Sequence, residues 1–268
     1  MTKFDDDTAL RATGDGRFEG RISPDWSIVR GANGGHIAAI LLRGLRMAVD
    51  DDARQPRSLT VHFARVPKND GFIVQTTIER TGRSTSNVSA RFVQDDKLVA
   101  LAIAVLATEQ RGPDFSDIAM PEVPRPEAVD IVSDREDFPF GRHFDFRRAL
   151  GPDVGDTSDR AELGVWVRMR EPQIVDHVVA TQLMDAWAPA VFAKLGTGGG
   201  GAGVPTIEMT FHFRESLPRP DDVPGSWHLG VYRTLLSRGG FIEEDGWLWN
   251  EQGVLVAQSR QLALLMGS

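Results

Sequence analysis

From residue 33 the chain reads NGGHIAAILLRGL, and Ile37, Ile40, Leu41, Leu45 and Ala48 fall on one helical stripe opened by Asn33, Gly34 and Gly35. Strand-like runs follow at about 57–66, 71–80 and 84–94, then a nearly unbroken apolar run at 98–107. Residues 17–30 alternate weakly and predict an earlier strand, with Pro24-Asp25 as a turn. The same order then returns. A strand candidate at 161–170 precedes LMDAWAPAVFAKL, and strands are predicted at about 204–215, 226–235, 239–250 and 253–265. An offset of 150 sets Val61, His62 and Phe63 on Phe211, His212 and Phe213, and sets Ile37, Ile40, Leu41 and Leu45 on Trp187, Ala190, Val191 and Leu195. A repeat of helix-then-strands mostly fixes the architecture. Short turns between strands exclude parallel crossovers, so the class is α+β with antiparallel sheet. A long helix wrapped by a curved antiparallel sheet is the hotdog arrangement, and two in tandem make a double hotdog. Residues 108–140, rich in proline and acid, predict a linker between an N-terminal hotdog at 1–107 and a C-terminal one at 141–268.

Composition narrows the function. The 268 residues carry a net charge of −8, which argues against a nucleic-acid partner. There is no cysteine, which removes disulfides, thiolate nucleophiles and Cys-ligated zinc. The longest apolar run is too short to span a membrane, and the acidic opening MTKFDDDTAL is unlike a signal peptide, so a cytoplasmic protein is expected. No GxSxG elbow is present, and the six histidines show no metal-ligand spacing. His62 and His212 occupy equivalent positions in the two copies, which favours a structural role. The glycine run at 198–203 lacks the Lys-Ser/Thr of a P-loop and is expected as a mobile loop beside the site. The six tryptophans are expected in the core or lining a tunnel.

The GG-opened helix, SLTVHFARVP and RTGRSTSNVSARFVQDDKLVA in the first half, with LMDAW, PTIEMTFHFRESL and GVLVAQSRQLALL in the second, resemble the acyl-CoA thioesterase II-like group of double-hotdog proteins. The resemblance spans nearly the whole chain outside the linker and the glycine run, and it rests on order and spacing rather than on one motif. It implies hydrolysis of a fatty acyl-CoA, or of an acyl-pantetheine, with no metal, cofactor or covalent intermediate. It also implies a catalytic water held by an Asp, a Thr and a Gln, which match Asp185, Thr206 and Gln261 here.

The repeat tests those three independently. Asp185 falls opposite Gly35, and Pro189 disturbs the carbonyl four residues back, so Asp185 is expected at a helix break or start, where the helix dipole favours an anion. An N-cap aspartate is the competing reading. In the last strands an offset of 157 sets Ala102 on Ser259 and Ala104 on Gln261, so two alanines have become polar on a small apolar face. A buried amide left unpaired costs about 1–3 kcal/mol, so Gln261 requires a partner, either a catalytic water or the backbone. Thr206 shares its parity with Glu208, Thr210 and His212 and faces away from the helix unless the strand starts with a bulge.

Gly34 and Gly35 are expected to let a thioester approach the helix start, with tight packing as the alternative. Ser259 joins them as a substrate-binding candidate. Arg83, and with it Arg65, Arg80 and Arg214, is a candidate for CoA phosphates, with solvated charge as the alternative. A non-catalytic acyl-CoA-binding protein of the same fold remains the other class. The run at 98–107, apolar on both faces, predicts that its outer face is covered in a homo-oligomer.

Overall fold

Asn33 starts the long helix by accepting the His36 N–H on its side chain, and Asp50 ends it in the left-handed region at φ 48°. Between them Ile37 to Leu42 and Leu45 are all buried, so this helix is enclosed rather than laid on a surface. The computed structural model describes residues 1–29, 31–132, 138–153, 156–196 and 203–265. The 198–202 part of the glycine run lies outside them.

In chain order the first half comprises α1 (Lys3–Asp7), β1 (Arg11–Gly14), β2 (Arg17–Arg21), α2 (Gly34–Val49), β3 (Gln55–Phe63), β4 (Gly71–Thr81), β5 (Thr85–Gln94) and β6 (Lys97–Ala107). The second comprises β7 (Phe144–Leu150), β8 (Glu162–Met169), α3 (His177–Leu183), α4 (Phe192–Leu195), β9 (Thr206–Phe213), β10 (His228–Arg233), β11 (Ser237–Arg238), β12 (Phe241–Asn250) and β13 (Leu255–Leu264). One antiparallel sheet runs β1-β2-β4-β5-β6-β3-β9-β13-β12-β10-β8-β7, with β11 added to β12. β2-β4-β5-β6-β3 around α2 is mirrored by β8-β10-β12-β13-β9 around α3, the double hotdog expected from the repeat.

The halves join where β3 pairs β9. Thr60 stands opposite Thr210, their hydroxyls 2.9 Å apart. Those residues are also the ones the offset of 150 equates, so the pseudo-two-fold axis passes between them. His62 and His212 both lie exposed on the outward face near it.

Two expectations need correction. The strand expected over 17–30 ends at Arg21, because Ser23 and Pro24 start a 3-10 turn that buries Trp26. The second central helix is not a continuous element over 187–195. α3 ends at Leu183, and the chain resumes helix only at Phe192, with Pro189 in the interval. Of the tryptophans, Trp166, Trp227 and Trp249 form a separate cluster on the outward face of the second half, under Met120 and Val123 of the 108–140 segment. Trp166 donates its ring N–H to the Pro124 carbonyl at 2.8 Å. Among the described residues no such cover lies over β6, where Leu101 and Ile103 are 36% and 52% exposed.

Candidate active site

Asp185 sits in the break between α3 and α4. Its Oδ2 accepts the Gly35 N–H at 2.6 Å and the Asn33 side-chain amide at 3.0 Å, both at the start of α2. The anion therefore does meet a helix N-terminus, but that of the other half. Pro189 has no N–H to give the Asp185 carbonyl, and Asn33 Nδ2 donates to that oxygen at 3.0 Å instead. Asn33 is itself fixed, because its Oδ1 accepts from the His36 N–H and, at 2.9 Å, from Gln182 Nε2. A Cβ on Gly35 would lie 2.8 Å from the Asp185 Cβ, and one on Gly34 3.0 Å from Oδ2. In this structure the close approach that the two glycines permit is made by Asp185.

A second polar group lies on the inner face of β9, β13 and β12. β9 carries an extra residue, Ile207, against β13, because Glu208 pairs Leu262 while Thr206 pairs Ala263. That bulge turns Thr206 to the Gln261 side of the sheet. The Thr206 hydroxyl donates to Gln261 Oε1 at 2.8 Å, and Gln261 Nε2 donates to Glu244 Oε1 at 2.6 Å. The Ala190 N–H, from the break, donates to the other Glu244 oxygen. Gln261 and Glu244 are both buried.

Burial pushes the Glu244 carboxyl up to about 7, and the charges of Asp185 and Glu243 push the same way. The Ala190 N–H and the Gln261 amide pull back against them. Ala190 ties the 184–191 break to Glu244, and the Asp185 charge from the same break acts on that carboxyl. Ser259 is buried two positions from Gln261, opposite Gly246, where a Cβ would collide with the Ser259 hydroxyl and lie 3.3 Å from the Met184 methyl.

The ladders make the comparison between halves exact in register. Val88 pairs Ala104 in the first half where Glu244 pairs Gln261 in the second. Ala90 pairs Ala102 where Gly246 pairs Ser259. The polar set belongs to one half alone.

Glu244 was missed in the sequence because Glu243 and Asp245 make it look like part of a solvated acidic run. Its signal was the alternation Ile242, Glu244, Gly246, Leu248. Arg83 lies apart from these residues, exposed in the turn after β4, with its carbonyl accepting from Arg54 at 3.3 Å. Arg54 pairs with Asp51 beyond the C-terminal end of α2, whereas Asp185 faces its N-terminal end; 16 residues of helix span about 24 Å. Among the described residues no cluster of His, Asp and Glu has the arrangement to hold a metal ion. No helix among them is long and apolar enough to cross a membrane.

The double hotdog, with half-buried Asp185 and Thr206 and buried Gln261 and Glu244 in its second half, sets the class, and comparison with known proteins gives the family. The N-terminal domain of the acyl-CoA thioesterase family matches residues 22–108 and the C-terminal domain matches 119–265. The chain belongs to the acyl-CoA thioesterase family. Among curated proteins none matches it.

Among solved structures it is similar to a conserved hot dog-fold protein of unknown function from Alicyclobacillus acidocaldarius, with 27% identity, a TM-score of 0.91, and coverage of 100% of this chain and 99% of that one. It is also similar in fold to an acyl-CoA thioesterase II from Mycobacterium marinum, at 21% identity and a TM-score of 0.77, covering 99% and 98% of the two chains. A tesB protein of Mycobacterium avium subsp. paratuberculosis shares 21% identity at a TM-score of 0.79, covering 97% of each.

Proposed function

We propose that this protein hydrolyses a fatty acyl thioester of CoA, or of an acyl-pantetheine carrier, by direct attack of a water held by Asp185, Thr206 and Gln261. One observation carries the reading: the fold is built twice, and only the second copy replaces its small apolar pair with Ser259 and Gln261, the latter hydrogen-bonded to Thr206 and to Glu244, which also takes an N–H from the break that carries Asp185. A structural amide has no reason to differ between two copies of one scaffold.

In the proposed step Asp185 takes a proton from the water as its oxygen bonds the acyl carbon. Thr206 and Gln261 fix the remaining directions of the water. The Gly35 N–H is committed to Asp185, so the Gly34 N–H and the second proton on Gln261 Nε2 are the donors assigned to the developing oxyanion. Collapse of the tetrahedral intermediate breaks the C–S bond, and the departing thiolate takes up the proton that Asp185 accepted from the water, which restores the carboxylate. Ser259 lines the acyl side of the site. Arg83, at the far end of α2, is left for the distal phosphates of a long CoA.

A panel of acyl-CoAs assayed by free-thiol release tests this. Wild type is expected to cleave at least one thioester, and Asp185→Asn is expected to lower kcat by about 100-fold or more. Undiminished hydrolysis in Asp185→Asn removes the assignment of the acid. Tight binding of acyl-CoAs with no hydrolysis by wild type gives the acyl-binding protein instead.

The same reading places the enzyme in cytoplasmic lipid metabolism as an oligomer of identical chains. The exposed Leu101 and Ile103 on β6 support the oligomer, and a monomer mass in light scattering would refute it.

A further inference from the structure

We propose that Glu244 is a positioning residue of this site, whose carboxylate fixes which end of the Gln261 amide faces Thr206 and which proton it leaves for the reaction. This rests on the hydrolytic reading of the same site. An amide is nearly symmetric in shape, so its orientation is decided by its partners. Thr206 does not decide it, because a hydroxyl donates or accepts equally well. An ionised carboxylate only accepts. It therefore demands Gln261 Nε2, turns Oε1 to Thr206, makes the Thr206 hydroxyl the donor, and leaves the second Nε2 proton over.

Each bond described in the structure has this direction, at 2.8 Å for Thr206 to Gln261 and 2.6 Å for Gln261 to Glu244. The other carboxylate oxygen takes the Ala190 N–H, which ties the orientation of the amide to the break that carries Asp185.

The fold itself does not need an acid at this place. Val88 fills the equivalent position and packs over Ala104. A carboxylate in the same enclosure carries a desolvation cost that the first half avoids. The groups facing Glu244 are Gln261 from β13, the Ala190 N–H and the Asp185 charge from the break, and Glu243 on its own strand, which is paired outward with Arg260 at 3.1 Å. Protonation makes Glu244 a donor as well, so the Gln261 amide is no longer held to one direction. The burial that lifts its carboxyl to about 7 puts that change near neutrality.

Glu244→Gln and Glu244→Val are to be compared with wild type by kcat and KM against pH, by thermal unfolding, and by NMR of the Gln261 side-chain amide, assigned by its loss in Gln261→Ala. A glutamine at 244 offers one oxygen to two donors, the Ala190 N–H and Gln261, so it reverses or splits the orientation. The expected result is a kcat about tenfold lower in Glu244→Gln with KM changed less than about threefold. The wild-type Gln261 signals are expected to move with pH around 7 and to stand still in Glu244→Gln, together with loss of the corresponding limb of the rate profile. Glu244→Val is expected to be slower still. If it fails to fold, Glu244→Gln alone decides.

Wild-type kcat and an unchanged pH profile in Glu244→Gln overturn the proposal. If wild type cleaves no thioester, the NMR arm separates the two claims. A titration abolished by Glu244→Gln upholds the orientation while the hydrolytic reading falls. Signals indifferent to both pH and the substitution overturn the positioning role.

Discussion

The glycine at 35 and the aspartate at 185 are one feature at the level of single residues, because the missing side chain of one makes room for the carboxylate of the other. An alanine at 35 would bring its Cβ to 2.8 Å from the Asp185 Cβ, closer than carbon atoms pack. The 184–191 segment then has to shift, and Gly35→Ala is expected to cost about 1–3 kcal/mol of stability and to lower kcat at least about tenfold. Chemical denaturation and thiol release measure the two. An alanine variant with wild-type rate would show that Asp185 need not sit on this helix start. Gln261 stood out in the sequence because it could be set against its counterpart Ala104, whereas the match of Asp185 to Gly35 rested on an offset that the helices do not keep. Its acidic neighbours hid Glu244, and only the ladder sets it opposite Gln261. The commitment of the Gly35 N–H to Asp185 was invisible for another reason: it joins residues from two halves that no local pattern relates.

Among elements, β9 shows where period-two reasoning gives out. Strict alternation from Phe213 back to Met209 sends Thr206 to the outer face, and one extra residue at Ile207 returns it. The first half carries the same irregularity, between Pro56 and Ser58, so the bulge belongs to the repeated scaffold. Neither copy marks it with a glycine, which is why the sequence offered only the condition and not the answer. The bulge matters because of one hydroxyl. Thr206→Ser keeps that group and is expected to hold near wild-type kcat, whereas Thr206→Val keeps the shape and is expected to lose about tenfold. Equal rates in the two variants would remove Thr206 from the chemistry. The helices show a different limit. The offset of 150 carried the apolar stripe of α2 onto 187–195 and its cap Asn33 onto position 183, but Asp176 caps α3 seven residues earlier by accepting the Val178 and Val179 N–H groups at 2.9 Å. Pro189 lies outside any helix in consequence. A repeat in sequence transmits the strand register faithfully here, and transmits a helix that one copy has broken much less well.

Across the whole molecule the buried titratable groups set how stability follows pH, and they pull in opposite directions. Burial drives His36 and His177 down to about 3 and His228 to about 4, all below the ordinary histidine value of 6.5. His36 lies stacked on Trp26 at 4.6 Å, and desolvation outweighs the contacts that Gln182 offers His36 and Glu215 offers His177. These rings are neutral in the folded protein and charge on unfolding. Below about 6.5 the unfolded chain binds more protons, so each histidine lowers stability by up to about 1.4 kcal/mol per pH unit as the pH falls. Glu244 works the other way. Its folded value of about 7 exceeds the ordinary 4.5, so the folded state binds the extra proton between those values and stability falls as pH rises through them. Wild type is therefore expected to lose stability from pH 6.5 to 5, with three histidines outweighing one acid. Glu244→Gln is expected to be the more stable protein at pH 8, by about 1–3 kcal/mol, with that advantage shrinking towards pH 5. Urea unfolding of both proteins at pH 5, 6.5 and 8 reads the two slopes. A Glu244→Gln variant equally destabilised at every pH would mean that the carboxylate is bound more favourably in the fold than in water. The strain assigned to an acid buried beside Asp185, which makes it suited to orienting an amide at neutral pH, would then not exist.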